Sequence, residues 1–122
     1  MTPSIRTSIA YIAGCLIQKK TFSALHDGSL GNVIVLSGSF NNGNIDVHDR
    51  KNGVSVIGLS VGNDASFLHS PENASITLQH NGVEFKGSDT TTNRSFNGSV
   101  IGMTVKLYDY DEGKYFYYGL VE

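Results

Sequence analysis

The chain has no tryptophan, two prolines and one cysteine in 122 residues, and only 16% of its residues are charged. A lone cysteine, Cys15, excludes an internal disulfide, so a hydrophobic core must hold the fold. No apolar run approaches the ~20 residues that a membrane-spanning helix needs. The net charge is −2 and the only basic pairs are Lys19-Lys20 and Arg50-Lys51. That removes the electrostatic footprint of a nucleic-acid binder. The G-x-S-x-G, Walker and H-E-x-x-H signatures are missing as well. Cys15 has no sequence-near histidine to activate it, and Glu72, Glu84, Glu112 and Glu122 are dispersed. No catalytic residue, metal ligand set or cofactor is therefore assigned, and the chain reads as a non-enzyme.

Glycine, by contrast, is plentiful at 14 residues, and three of them recur at one position of a repeated turn. Five copies read His26-Asp27-x-x-x-Gly31, His48-Asp49-x-x-x-Gly53, His69-Ser70-x-x-x-Ala74, Ser88-Asp89-x-x-x-Asn93 and Tyr108-Asp109-x-x-x-Gly113, at spacings of 22, 21, 19 and 20. Such a period marks a repeat architecture. Asp opens a turn because its carboxylate accepts backbone N–H groups. Gly or Asn four residues later supplies a left-handed residue without the Cβ penalty. Short β-favouring stretches flank each copy, so each unit is a hairpin. Further turn signals lie between the units, at Asn41-Asn42-Gly43, Gly62-Asn63-Asp64, Asn81-Gly82 and Gly98 to Gly102.

Turns at both ends of short segments predict one mainly all-β domain over 1–122, an antiparallel meander of about ten strands. Residues 1–20 form an N-terminal cap and 21–122 the five hairpins, closed as a barrel or stacked as two sheets. The alternative is a β-solenoid with one coil per repeat. A solenoid would stack Asp27 beside Asp49 and Asp89 beside Asp109 with no basic row between them, which favours the meander. Ile5, Ile9, Ile12 and Leu16 share one helical face, and Thr2-Pro3 is a plausible cap. This predicts a helix from about Pro3 to Gly14 and then a strand through Ile17, with the helix covering an open end of the sheet.

If Asp109 pairs with Lys114, Leu107 faces Phe116 and Val105 faces Tyr118. The same rule pairs Val47 with Val56, Ile45 with Gly58, Gly87 with Phe96, Phe85 with Gly98 and Leu25 with Ile34. One face is then consistently apolar. The opposite face is polar in units two and four. It is apolar in unit one (Ala24, Val33, Val35) and unit three (Phe67, Ile76, Leu78). Strands apolar on both faces need cover on both sides, which predicts a homo-oligomer through Phe67, Ile76, Leu78, Val33 and Val35.

Five of the six tyrosines fall between Tyr108 and Tyr118. Tyr108, Tyr115 and Tyr117, with Lys106, share the non-core face. Such a plate suits a sugar or a protein partner. His26, His48 and His69 occupy one repeat position that Tyr108 fills in the last unit, so a flat polar ring is expected there rather than a metal ligand. The Asp residues are read as turn caps, since calcium-binding β-roll repeats carry more Gly and a shorter period.

The stretch Val105-Lys-Leu-Tyr-Asp-Tyr-Asp-Glu-Gly-Lys-Tyr-Phe-Tyr-Tyr118 resembles the terminal unit of small uncharacterised bacterial proteins built from L-Y-D-Y-x-x-G-x-Y hairpins. The Ala10-Tyr-Ile-Ala-Gly14 segment is similar to theirs as well. The resemblance implies a repetitive β fold and no known activity. Ile12-Ala13-Gly14-Cys15 resembles a lipoprotein cleavage box, with Arg6 upstream, but the apolar stretch from Ser8 is short for a signal core. The expected location is cytoplasmic, with a lipid anchor on Cys15 as the alternative. The expected function is a non-catalytic binding or self-assembly module whose tyrosine face engages a protein or glycan. The alternative is a small barrel that holds an apolar ligand inside.

Overall fold

A computed structural model describes the whole chain, Met1–Glu122. The N-terminal helix, α1 (Pro3–Gln18), begins where the Thr2 hydroxyl accepts the Ile5 N–H at 3.3 Å, with proline in the first turn. It ends at Lys19, whose φ of 55° is left-handed. The helix is a turn longer than expected and replaces the strand expected through Ile17.

Eleven strands follow: β1 (Ala24–Asp27), β2 (Asn32–Val35), β3 (Ser37–Ser39), β4 (Asn44–Asp49), β5 (Val54–Val61), β6 (Asp64–Ser70), β7 (Ala74–Asn81), β8 (Glu84–Asp89), β9 (Arg94–Ile101), β10 (Thr104–Asp109) and β11 (Lys114–Val121). They form one antiparallel sheet in the order β2-β1-β11-β10-β9-β8-β7-β6-β5-β4-β3. Its two edge strands, β2 and β3, are separated only by Leu36. One extended segment therefore supplies both edges, and the meander is nearly closed into a barrel. The expected fold class holds, and neighbour-to-neighbour antiparallel pairing sets the solenoid aside.

The expected pairs Leu107↔Phe116, Val105↔Tyr118, Val47↔Val56, Ile45↔Gly58, Gly87↔Phe96, Phe85↔Gly98 and Leu25↔Ile34 are all present. At one end of the barrel a left-handed residue, Gly31, Gly53, Asn73, Asn93 or Gly113, completes each hairpin loop. At the other end lie three two-residue turns, opened by Gly62, Gly82 and Gly102 at φ between 59° and 62°.

These positions correct the frame of unit three. Asn73, not Ala74, is its left-handed residue, and His69, not Ser70, stands where the other units have Asp. The spacings from Asp27 then become 22, 20, 20 and 20. A one-residue slip exchanges the faces of a strand. Phe67, Ile76 and Leu78 accordingly point inward and are 3%, 0% and 0% exposed, so they belong to the core and not to an oligomer interface. Val33 and Val35 do lie outside, at 57% and 71%. The histidine ring is corrected with them: His69 faces inward, while His26 is exposed and His48 half-buried.

The helix does not cover an end of the barrel; it fills the interior. Every residue from Ile5 to Cys15 is buried. Ser4 contacts His69 on β6, Arg6 contacts Asp109 on β10, Gly14 packs against Leu120 on β11, and Tyr11 packs near Gly38 on β3. These strands surround the helix, so no face of it is free. An amphipathic reading saw only the isoleucine stripe. Ala10, Ala13 and Gly14 keep the helix narrow: a Cβ on Gly14 would stand 2.6 Å from a Leu120 methyl.

Inward glycines let the sheet curl. A Cβ on Gly98 would lie 2.0 Å from the Lys106 carbonyl oxygen and 2.5 Å from the Phe85 ring. Phe85 and Phe96 cover Gly98 and Gly87 across neighbouring strands, with ring centroids 6.2 Å apart. Gly98→Ala is expected to cost about 3 kcal/mol through overpacking. The adjacent outward Ser99→Ala is expected to stay within about 0.5 kcal/mol. Urea denaturation of both variants measures the contrast.

Candidate functional site

Strand alternation sends every second side chain outward. In the observed register those side chains line up across the strands. One row runs Asp64–Gln79–Lys86–Asn97–Tyr108–Tyr115 over β6 to β11. Beside it runs a row of short side chains, Leu59–Ser66–Thr77–Ser88–Ser95. On the other flank lies Glu84–Ser99–Lys106–Tyr117. Short hydroxyls between taller neighbours leave an open groove of about 1120 Å³. Leu59 and Val61 bound it at one end, and Arg94, Tyr110 and Asp111 at the other.

The rim of the groove is internally braced. Asn97 Nδ2 donates to the Tyr110 hydroxyl at 2.8 Å. Arg94 Nη1 donates to Asp111 Oδ2 at 2.6 Å. Tyr108 meets Tyr110 and Tyr115 edge-on at 4.9 and 4.8 Å between centroids, and Tyr117 stands 6.4 Å beyond Tyr115. Lys106 Nζ lies 4.3 Å over the Tyr115 ring. Tyr110, Tyr115 and Tyr117 remain about half exposed, at 55%, 47% and 50%.

The four residues expected to form a tyrosine plate, Tyr108, Tyr115, Tyr117 and Lys106, thus sit together on the outer face. Sequence reasoning missed what joins them: the single row in which Asn97, Lys86 and Gln79 continue from Tyr108, and the line of hydroxyls across four strands beside it. Sequence placed Lys86, Ser88, Ser95 and Asn97 on a polar face of one unit, but the alignment across units needed the corrected frame of unit three.

A second polar cluster is internal, around the start of α1. Asp27, Asp49, His69, Asp89 and Asp109 are all buried there. Oδ1 of each aspartate accepts N–H groups of its own loop: Ser29 and Leu30, Asn52, Thr91, and Asp111 with Glu112. They are the turn caps that the sequence implied. Asp109 Oδ2 also lies 3.3 Å from both the Arg6 guanidinium and the Met1 amine. Arg6 stacks 3.8 Å from the Phe116 ring centroid. The buried guanidinium is therefore matched by charge and by an aromatic face.

His69 Nε2 lies 2.9 Å from the Ser4 hydroxyl, while its Nδ1 has no partner. No carboxylate orients this ring, so the pair lacks the third member of a nucleophilic triad. The Cys15 thiol is buried, and burial pushes its pKa up to about 11, which suppresses the thiolate. Cleavage before Cys15 would also remove most of the helix that fills the barrel.

Comparison with protein-family models, curated proteins and solved structures gives no match. The site must be read from its own geometry.

Two outcomes follow from the buried groups. Burial lowers the His69 pKa, against the opposing pull of Glu72 and Asp89, and burial lowers that of His80 as well. A histidine held neutral in the fold supports stability fully above its unfolded pKa of about 6.5 and loses that support as pH falls below it. Tm should therefore drop from pH 7 toward pH 5, and His69→Gln should flatten this dependence. Calorimetry over that range checks it. Cys15 should react with a disulfide reagent at pH 8 only as fast as the chain opens, and immediately in denaturant; absorbance of the released thiol measures both.

Proposed function

We propose that this protein is a non-catalytic glycan-binding module whose ligand lies in the outer groove and against the tyrosines beside it. One observation carries the reading: a hydroxyl-floored groove runs alongside a continuous row of amide, ammonium and phenol groups that ends in exposed aromatic rings. Sugars present hydroxyls around their edges and C–H groups on their faces. The first need donors and acceptors such as Gln79, Asn97 and the serines; the second need flat rings. Polar and apolar atoms share the groove surface almost evenly, which suits a sugar, with its hydroxyl edges and C–H faces, better than a wholly apolar ligand. The barrel interior is taken up by α1, so an apolar ligand there would have to displace core side chains. The oligomer argument keeps only Val33 and Val35 of its five residues; Ile57, Leu59, Val61 and Leu68 on β5 and β6 are exposed as well, so self-association through the outer face remains the second reading.

Screening of immobilised oligosaccharides, followed by calorimetric titration of the hits, tests the reading. Tyr110→Ala and Tyr115→Ala should each weaken binding about tenfold, equal to about 1.4 kcal/mol. Each should shift thermal stability far less than Gly98→Ala. Absence of binding at millimolar oligosaccharide, or titrations unmoved by both substitutions, would overturn it.

A further inference from the structure

Resting on the glycan-binding reading, we infer that the groove selects a carboxylated sugar, with Lys86 as the residue that meets the carboxylate. Lys86 stands midway along the central row, between Gln79 on β7 and Asn97 on β9. These three residues line both the main groove and an adjoining hollow of about 510 Å³. Lys86 is exposed and forms no ion pair.

The other charges around the groove are either engaged or remote. Arg94 is held by Asp111, whose carboxylate also lies 3.3 Å from the Met1 amine. Asp64 ends the row two strands from Lys86, roughly 10 Å away at the usual strand spacing. Glu84, two residues before Lys86 on β8, shares the adjoining hollow but does not reach ion-pair distance of it, so a carboxylate ligand is expected on the Asn97 and Ser88 side of Lys86, toward the main groove. Lys106, on the flanking row, leans over Tyr115. The middle of the groove therefore presents one unmatched ammonium.

The carboxamides decide the kind of anion. Gln79 and Asn97 add N–H donors on either side of the ammonium, so a flat carboxylate can take a charged bond from Lys86 and a neutral one from an amide. A sulfated or phosphorylated sugar presents three acceptor oxygens, and a phosphate nearly two charges, which one ammonium flanked by two amides matches less well than the two oxygens of a carboxylate. The one guanidinium at the groove already serves Asp111. The hydroxyl floor and the Tyr110 wall would then hold the rest of the sugar, as in the parent reading.

The test compares oligogalacturonate with its fully methyl-esterified form, which keeps the sugar backbone and removes the charge. Calorimetry with the wild-type chain should show at least tenfold tighter binding of the acid, weakening as salt rises from 20 to 200 mM. Lys86→Gln should abolish that preference by weakening the acid to the level of the ester, and an unchanged thermal unfolding midpoint shows that the variant is folded. Equal binding of acid and ester, or a preference that survives Lys86→Gln, would overturn the carboxylate assignment while the glycan reading stands. Failure of both probes, and of every neutral oligosaccharide in the screen, would overturn the two readings together.

Discussion

The structure depends on the need to fill the space inside a curled sheet. An antiparallel meander this wide must either collapse into two layers or enclose something. This chain encloses its own first helix. Sixteen residues of α1 span about 24 Å, close to the length of the eight-residue strands around it. Several features then follow from fit. Gly14 narrows the helix where Leu120 approaches, and Phe85, Phe96 and Phe116 belong to the same core. The barrel and its contents are thus mutually dependent, since neither buries its apolar face alone.

Enclosing a helix brings its polar start into the barrel. The first turn of α1 has N–H groups without helical partners and the positive end of the helix dipole. The repeat meets this end with buried aspartates, one from each of four hairpins, whose primary task is to cap their own loops. At Asp49 the second oxygen, Oδ2, also accepts within the loop, from Asn52 Nδ2, while elsewhere Oδ1 does the local work and Oδ2 can act at longer range. Asp109 does so toward Arg6 and Met1. In unit three the place is held by neutral His69, which contacts Ser4 instead. A fifth carboxylate would add like charge to a closed space, and the uncharged ring avoids that.

Much of this was legible in the sequence, and the reason is local. Asp-x-x-x-Gly writes a loop chemistry that needs no distant partner, so the hairpins, their pairing and the inward face of four units could be read directly. The tyrosine cluster was legible for the same reason, because Tyr108 and Tyr115 are partners across one hairpin. Unit three failed because its two marker positions carry other residues. His69 and Asn73 fill the roles of Asp and Gly, while Ser70 and Ala74 next to them look more like the pattern. That single residue of slip moved Phe67, Ile76 and Leu78 from core to surface. The helix was read as a cap because its isoleucine stripe is visible in sequence, whereas burial of Arg6, Thr7 and Ser8 depends on partners from distant strands.

The same constraint explains where function can reside. Inward positions are committed: each meets the helix, a phenylalanine or a backbone carbonyl, and Gly98 shows how little room remains. Outward positions carry no such duty, so their identity is free to serve a ligand. With each strand paired to its sequence neighbours, outward side chains from successive hairpins fall into straight rows whatever their chemistry. On β6 to β9 one such row is entirely Ser and Thr. These are short enough to open a groove, and they pack nothing beneath them. A sheet that needed only solubility would be served by charged residues there. Four adjacent small hydroxyls, bounded by tyrosines and by a row with one lysine, are not required by the fold that presents them, which is why the proposed ligand is placed there.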